Sequence, residues 1–291
     1  MIHFIINPVA GGKNGKKMKK AVEIIKSRLD EKKVEYAFHY TAKKGDAKAL
    51  VEKLTGDGVE TLAVVGGDGT LHEVINGFKD FSKTALGIIP CGTGNDFAAA
   101  LNIPNDIQAA VDLIIDGSTR FVDFMQMPTV RGLNIIGMGV DVEVLRRYAA
   151  LKKPTKFGYT KCLIKTLLRP KMTSFSAEFN GKTENYESFI ACVANGYRYG
   201  GGIPICPTAN PTDKKLDFVA VKKVKGLKMI KAFLKLKKGK ILTLKETSHE
   251  NMTEIKITAD KPYTVQVDGE LYENIPFDVK IVSDALRVYC P

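Results

Sequence analysis

Short apolar runs alternate with helically spaced apolar residues over residues 1–120. The runs HFII, EYAFHY, TLAVV and ALGII have the length and the branched or aromatic content of buried strands. Apolar residues then recur three or four positions apart over residues 18–29, 47–54, 71–78 and 107–114, which predicts amphipathic helices. Strands that alternate with helices predict a three-layer α/β domain, in which helices cover both faces of a mainly parallel sheet.

The pattern changes from about residue 121 onward, where strand-like segments dominate. Several alternate apolar and polar residues, as half-buried strands do: SFSAEFN, ESFIACVAN, LDFVAV, TEIKITA, YTVQVDGE, FDVKIV and ALRVYC. Helical patterns shrink to two basic regions, about 143–169 and 226–240. We therefore predict an α/β domain over residues 1–124 and an antiparallel, β-sandwich-type domain over residues 125–291.

Composition is compatible with two such domains. The chain has 291 residues, of which 44% are apolar and 26% charged, as is usual for globular proteins. No apolar run reaches the ~18 residues of a membrane span, and the start MIHFIINP lacks the pattern of a signal peptide. The five cysteines are scattered, with neither metal-ligand spacing nor a disulfide framework, so we expect a reducing, cytoplasmic setting.

The formal net charge of +12 changes the list of expected partners. It is compatible with an acidic partner, such as nucleic acid, an anionic membrane or a phosphorylated ligand. It is equally compatible with a surface that is merely solvated by lysines. Charge alone does not separate these alternatives.

Three glycine-rich loops follow three of the predicted strands: NPVAGGKNGKK at 7–17, GGDGT at 66–70 and PCGTGNDFA at 90–98. In a parallel sheet such loops share one edge, where unpaired N–H groups and helix N-termini bind anions. Glycines let the backbone approach a phosphate closely. Asp68 in such a loop fits a role in holding a cation, such as Mg²⁺, that bridges to phosphates. Taken alone, GGDGT also fits a plain strand–turn–helix with Asp68 as the N-cap.

Four motifs resemble the diacylglycerol kinase-like lipid kinase family, which includes bacterial diacylglycerol kinases and sphingosine kinases. NPVAGG, GGDGT and GTGNDFA occur in that family's order and approximate spacing, and VDGE at 267–270 is similar to its catalytic Asp-Gly-Glu. The resemblance covers nearly the whole chain, although NAD kinases and phosphofructokinases carry loops similar to GGDGT. It implies two domains with the active site in the cleft between them, ATP as co-substrate, and Mg²⁺.

The resemblance also implies roles for single residues. Glu270 would be the general base for the lipid hydroxyl. Asp68, Asp96 and Asp123 would hold the catalytic Mg²⁺ in a water-linked network, which makes Asp68 a catalytic residue as well. Contacts to ATP would come from the three loops and one further threonine: Asn7, Pro8, Ala10, Gly11, Gly12, Lys13, Thr41, Gly66, Gly67, Asp68, Gly69, Thr70, Thr93, Gly94 and Asn95.

Two departures from the family pattern stand out. Many members carry an arginine shortly after Asn-Asp-Phe, whereas three alanines follow here at 98–100. In some bacterial members a second, structural Mg²⁺ would be held by the side chain of Asp213 and the carbonyls of Asn210 and Lys215. Its usual Asp-Gly is Asp213-Lys214 here, and a lysine beside the cation weakens the charge balance.

The two basic helical regions are candidates for contact with the membrane that would contain a lipid substrate. GLKMIKAFLKLKKGK (226–240) is predicted to place Leu227, Ile230, Phe233 and Leu234 on one face, and KCLIKTLLRPK (161–171) has a similar character. Such segments either lie on an anionic membrane surface or pack their apolar face on the sheet with the lysines in water. We expect peripheral membrane association, with a lipid substrate and no nucleic acid as partner, and the sequence leaves room for a homodimer.

The sequence thus favours an ATP-dependent lipid kinase with diacylglycerol as acceptor and phosphatidate as product. An NAD kinase is an alternative, against which NPVAGG and DGE count. A non-catalytic nucleotide or lipid sensor is another, although Asp68, Asp96 and Glu270 are all present. A nucleic-acid-binding protein finds no support in an aromatic or helix-turn-helix motif, and nothing resembles a serine–histidine–acid triad or a zinc cluster.

Overall fold

The chain divides into two compact units in a computed structural model that describes residues 1–11, 15–151, 155–224 and 227–291. The first unit comprises Met1–Asp123 and Ser283–Pro291, and the second comprises Phe124–Val282. The division falls beside the predicted boundary at 124/125. The predicted second domain included the last nine residues, which the structure assigns to the first unit.

The first unit contains strands β1–β4 and helices α1–α5, and β5 leads out of it. The strands are β1 (Ile2–Ile6), β2 (Tyr36–Tyr40), β3 (Thr61–Gly66), β4 (Ala85–Pro90) and β5 (Thr119–Gln126). The helices are α1 (Lys16–Glu31), α2 (Asp46–Gly56), α3 (Asp68–Ile75), α4 (Asp96–Ala100) and α5 (Ile107–Asp116). The four predicted helices correspond to α1, α2, α3 and α5, while the short α4 follows the third glycine loop and was not predicted.

A parallel sheet of order β2–β1–β3–β4 forms the centre of the first unit, as predicted. Val288, near the end of the chain, extends it by pairing in parallel with Leu86 of β4. The central strands are apolar on both faces, since Phe4 and Val65 are buried on one face and the paired Ile5 and Val64 are buried on the other. The helices cover these faces with the apolar positions that the spacing indicated.

The second unit consists of strands β6–β15 and helices α6–α8. The strands are β6 (Arg131–Gly132), β7 (Ile135–Gly139), β8 (Thr173–Phe179), β9 (Lys182–Ala194), β10 (Leu216–Lys222), β11 (Thr247–Met252), β12 (Glu254–Ala259), β13 (Thr264–Val267), β14 (Glu270–Glu273) and β15 (Phe277–Tyr289). The helices are α6 (Val140–Ala149), α7 (Lys156–Leu167), α8 (Leu227–Lys237) and a 3₁₀ turn (Ile241–Thr243). Strand β15 continues into the first unit.

Strand pairing in the second unit is antiparallel, which confirms the predicted fold class. The long β9 pairs with β8, β7 and β10, β10 pairs with β11, and β13 pairs with β7 and β14. Alternate residues of β10 enter two cores: Phe218 faces one with Phe175, and Val219 faces another with Leu163 of α7 and Leu236 of α8. Both faces of the central strands are therefore covered.

Helix α8 differs from the predicted single apolar face. Phe233 lies against the core, whereas Ile230 and Leu234 are exposed, and the side chain of Leu227 lies outside the described residues. The apolar residues thus divide between a packed face and a solvent face. Among the described residues, we find no helix with the length and apolar character needed to cross a membrane.

A buried carboxyl group lies in the interior of the second unit. Asp141, in the first turn of α6, is 1% exposed, and its Oδ1 accepts the N–H of Val142. The other carboxyl oxygen lies over Gly137, where an added Cβ would come within 2.1 Å of it. Burial raises the pKa of Asp141 to about 7, because the charged form loses its hydration.

Replacing Asp141 with asparagine should change how stability depends on pH. Between pH 3.8 and about 7 the folded chain keeps this proton and the unfolded chain loses it, so the wild type loses stability as pH rises. Asp141→Asn removes this dependence and should gain up to about 4 kcal/mol over the wild type between pH 4 and 7.5. Urea unfolding at both pH values measures the difference. A wild-type-to-variant difference that is constant with pH would contradict burial of this carboxyl group.

Candidate active site

The three glycine-rich loops leave the same edge of the parallel sheet, because they follow the adjacent strands β1, β3 and β4. Hydrogen bonds join them directly. Asn7 Nδ2 donates to Thr70 Oγ1 at 2.9 Å, which links the first loop to the second. The N–H groups of Cys91 and Gly92 both donate to the carbonyl oxygen of Gly66, at 2.8 and 3.1 Å. The expected convergence of the loops is therefore present.

The second and third loops contact each other through backbone atoms of two glycines. A Cβ added to Gly67 would lie 2.8 Å from the Cα of Gly92, and a Cβ added to Gly92 would lie 2.4 Å from the Cα of Gly67. Neither position has room for a side chain, so glycine is required by close approach. Gly92 was not among the predicted site residues. In the sequence, Gly92 is marked only by its position two residues before Gly94. The contact that requires glycine there joins residues that are far apart in the chain.

Asp68 binds the start of a neighbouring helix. Asp68 is the first residue of α3, whose N-cap is Gly67, and its side chain does not cap its own helix. Instead Asp68 Oδ1 accepts the N–H of Asp96, the first residue of α4, at 2.7 Å. Asn95 takes the left-handed conformation at φ 53°, and its Oδ1 accepts the N–H of Gly92 at 2.9 Å. The N-cap alternative for Asp68 is therefore wrong in its helix.

Two carboxylates lie together at this edge. Asp68 is half-buried and Asp96 is buried. Burial, and secondly the negative charge of Asp96, raise the pKa of Asp68 to about 6, although backbone N–H groups of α4 act in the opposite direction. Two neighbouring carboxylates are oxygen donors of the kind that a hard divalent cation prefers, so these residues fit Mg²⁺.

The remaining predicted nucleotide contacts lie on or beside the same loops. Thr41 follows β2 and is buried, with its N–H donating to the carbonyl of Ile6 at 3.0 Å. Thr93 is exposed, and Gly11 takes a φ of 76°. Gly12 and Lys13 lie outside the described residues. The half-buried loop positions of the predicted set are Asn7, Pro8, Ala10 and Gly94, and Gly69 is exposed in the first turn of α3.

The other two predicted metal ligands have contacts of their own. Asp123 is fully buried, and its Oδ1 accepts the N–H of Asp284 at 2.8 Å. Asp213 is exposed, and its Oδ1 accepts the N–H of Lys215 at 3.1 Å. Lys214 between them has a φ of 63°, the left-handed conformation that glycine adopts without steric cost. The loop thus keeps a glycine-like backbone although a lysine occupies the position.

The Asp268–Gly269 dipeptide is the turn between β13 and β14, with φ values of 51° and 93° that suit a two-residue hairpin. The carboxylate of Asp268 accepts three backbone N–H groups from the chain leading into β7. These donors are Leu133 at 2.7 Å, Asn134 at 2.8 Å and Ile135 at 3.1 Å. Asp268 is therefore a structural clamp, a role that the motif alone did not reveal.

Glu270 begins β14 directly after this clamped turn. It is half-buried and pairs across the hairpin with Val267. Burial, followed by the charges of Glu270 and Asp268, raises the pKa of Tyr272, on the same strand, to about 12. The turn fixes the backbone of Glu270 and leaves its carboxylate partly accessible.

Substitutions at Asp68 should separate its structural contact from its charge. Asp68→Asn keeps an oxygen for the N–H of Asp96 and removes a half-buried charge, so at pH 8 its stability should equal or exceed that of the wild type. Asp68→Ala leaves that N–H without this acceptor and should cost about 1–2 kcal/mol. Urea unfolding in metal-free buffer measures both. Equal losses in the two variants would contradict the assigned hydrogen bond.

Comparison with known proteins agrees with this geometry. The diacylglycerol kinase catalytic domain family matches residues 1–127, and the YegS C-terminal NAD kinase beta sandwich-like domain family matches residues 134–290. The chain is 28% identical to a diacylglycerol kinase of Staphylococcus carnosus, with 99% of this chain and 94% of the relative covered. It is 30% identical to a protein of Xanthomonas campestris named probable lipid kinase YegS-like, with 94% and 91% covered.

The fold also has solved counterparts. A diacylglycerol kinase from Bacillus anthracis superposes with a TM-score of 0.75 at 22% identity, over 100% of this chain and 96% of that one. At this identity the likeness concerns the fold. The two family matches together span almost the whole sequence. The chain therefore belongs to the diacylglycerol kinase and YegS-like family of lipid kinases.

Proposed function

We propose that this lipid kinase transfers the γ-phosphoryl group of ATP to the hydroxyl of diacylglycerol and releases phosphatidate. The observation that carries the proposal is the Asp68–Asp96 pair among three converging glycine loops. Relatives named diacylglycerol kinase support this choice of acceptor. Transfer of a phosphoryl group needs positioning and charge neutralisation more than covalent help, and this edge offers both.

The loops would hold the triphosphate of ATP mainly through backbone N–H groups. Gly66, Gly67 and Gly92 leave the backbone bare where the second and third loops meet. The starts of α3 and α4 lie at the same edge and favour negative charge. Asp68 and Asp96 would hold the Mg²⁺, with Asp123 as a third candidate. The ion, when bound, supplies the positive charge that the phosphates require.

Glu270 would act on the acceptor. Its carboxylate, at the clamped turn after Asp268, would take the proton from the lipid hydroxyl as that oxygen attacks the γ-phosphorus. The bond from the γ-phosphorus to the β–γ bridging oxygen would break, and ADP would leave. Such general-base help is worth roughly 10²–10⁴-fold in rate. The three N–H groups that Asp268 accepts would fix the backbone from which Glu270 extends.

The second unit contains a small apolar cavity of about 30 Å³, which is room for roughly one water molecule. Its wall exposes only apolar atoms, contributed by Leu163 and Leu167 of α7, Phe233 and Leu236 of α8, and Phe189 and Ile190 of β9. This space is far too small for an acyl chain, so it does not bear on the identity of the acceptor.

NAD kinase activity is the second candidate, because the C-terminal family description names an NAD kinase-like sandwich. One assay separates the two. Purified enzyme with radiolabelled ATP and Mg²⁺ is offered diacylglycerol in mixed vesicles or NAD. We expect labelled phosphatidate, identified by mass spectrometry, and no NADP. NADP formation without phosphatidate would reverse the assignment, and labelling of a different lipid would revise the acceptor alone.

Glu270→Gln should lower kcat by about 10²-fold or more while leaving ATP binding and the melting temperature unchanged, because only the proton acceptor is lost. Glu273→Gln is the matched control, since Glu273 lies on the same strand and is 72% exposed. Asp268→Ala should differ from both by lowering stability, because it leaves three N–H groups without their acceptor. Wild-type turnover in Glu270→Gln would remove the proposed base.

We further propose that α7 docks the enzyme on an anionic membrane. Tyr159 and Leu163 of α7 pack inward, yet Phe157, Ile164 and Leu168 on its other side are exposed at 79%, 43% and 75%. The exposed basic residues Lys161, Lys165 and Arg169 lie among them. An exposed apolar stripe bordered by cations matches the chemistry of an anionic lipid surface.

The test is sedimentation with phosphatidylglycerol-containing vesicles. Phe157→Ser with Leu168→Ser should weaken binding at least tenfold, since each large apolar side chain contributes about 1.5–3 kcal/mol when buried. Phe121→Ser, an exposed phenylalanine of the first unit, is the matched control and should bind as the wild type does. Unchanged binding by the double variant would contradict docking through α7.

A further inference from the structure

Three side chains with metal-binding chemistry converge in the second unit, apart from every residue assigned above. Cys206 lies in the long connection between β9 and β10, Asp217 is the second residue of β10, and His249 lies on β11. The antiparallel register pairs Asp217 with Asn251 and Val219 with His249. Because side chains on a strand alternate, Asp217 and His249 project from the same face of the sheet.

The potential ligand atoms are close to one another. The thiol sulfur, a carboxylate oxygen and a ring nitrogen of these residues all lie within 4.8 Å of each other. His249 Nε2 is 2.6 Å from Asp217 Oδ1, and Thr208 Oγ1 donates to the same oxygen at 2.8 Å. Thr208 Oγ1 also lies 3.4 Å from the sulfur of Cys206 and 3.4 Å from His249 Nε2. The donors therefore form one compact group.

Burial makes this group distinct from a surface cluster. Cys206 and Asp217 are 0% and 1% exposed, while the side chain of His249 is 26% exposed and leaves a route from solvent. Asp217 Oδ2 is buried and has no hydrogen-bond partner in the part of the chain that the structure describes. A buried carboxylate oxygen of this kind calls for a cation or a donor.

We propose that Cys206, Asp217 and His249 form a binding site for a zinc-type divalent transition metal. Thiolate, imidazole and carboxylate together are a donor set for Zn²⁺, whereas Mg²⁺ and Ca²⁺ prefer oxygen ligands alone. Tetrahedral ligands at about 2.0–2.3 Å from the ion lie roughly 3.3–3.7 Å apart, so small side-chain movements within the 4.8 Å group suffice. Thr208 or a water would complete the shell.

Metal binding would move protons at two of the ligands. The proton of the Cys206 thiol leaves to solvent as the sulfur–metal bond forms. The Asp217–His249 contact opens, and the proton that His249 Nε2 donates in that contact moves through solvent to Nδ1, so that Nε2 can offer its lone pair to the ion. The ion would tie the connection at Cys206 to β10 and β11. That connection also carries Asp213, so the site would hold in place the loop on which the predicted structural Mg²⁺ depends.

Cobalt substitution tests the proposal directly. The intact, chelator-treated protein is titrated with CoCl₂ and watched by absorption spectroscopy. We expect a cobalt–thiolate charge-transfer band and the intense visible bands of tetrahedral cobalt, saturating at one ion per chain and displaced by Zn²⁺. Zn²⁺ should also raise the melting temperature. Absence of the thiolate band from the wild type would overturn the proposal.

Variants identify the ligands. Cys206→Ala should abolish the thiolate band, and His249→Gln should keep it while weakening the affinity for Co²⁺ at least about tenfold. Cys162→Ala, another buried cysteine of the same unit, is the matched control and should titrate as the wild type does. A thiolate band that persists in Cys206→Ala would also overturn the site. Kinase activity in the absence of zinc is independent of this outcome.

Discussion

The hydrogen bond from the Asp96 N–H to the Asp68 carboxylate is the contact on which the nucleotide edge of the first unit depends. It joins the helix after the second glycine loop to the helix after the third, across a junction where Gly67 and Gly92 touch backbone to backbone. The same contact brings a second acid beside the first, and burial together with the charge of Asp96 raises the pKa of Asp68. A divalent cation bound at this edge would neutralise both carboxylates.

The second unit uses a carboxylate in a comparable way. Asp268 accepts three backbone N–H groups and fixes a left-handed turn, from which Glu270 extends. In both units an acidic residue of a recognisable motif organises the backbone as well as offering charge. Loss of activity in a variant of either acid would therefore not by itself identify a chemical role. A variant that keeps the hydrogen bond and removes the charge makes the distinction.

Much of this arrangement could be predicted from the sequence because it rests on short-range pattern. Helical spacing located α1 and α5, and the glycine loops after apolar runs indicated one binding edge. Contacts between distant residues could not be predicted. Glycine is required at position 92 because Gly67 approaches it closely. The backbone partners of Asp268 lie more than 130 residues away in the chain. Lys214 adopts a left-handed conformation that is usual for glycine.

Helix α7 and the cysteines illustrate the same limit. The basic segment was predicted to use its apolar residues either for packing or for a membrane, whereas α7 has enough of them to bury one face and expose another. The spacing of the cysteines indicated no metal ligands, because Cys206, Asp217 and His249 come from three separate elements. Strand register brings such side chains together, and register depends on packing across the whole sheet.

A crystal structure of the protein with Mg²⁺ and a non-hydrolysable ATP analogue tests the central claim most directly. We expect the triphosphate on the glycine loops, and the metal joined to oxygens of Asp68 and Asp96, either directly at about 2.1 Å or through one water. A triphosphate bound elsewhere, or a metal held by phosphates alone with both carboxylates turned away, would contradict the assignment of this edge.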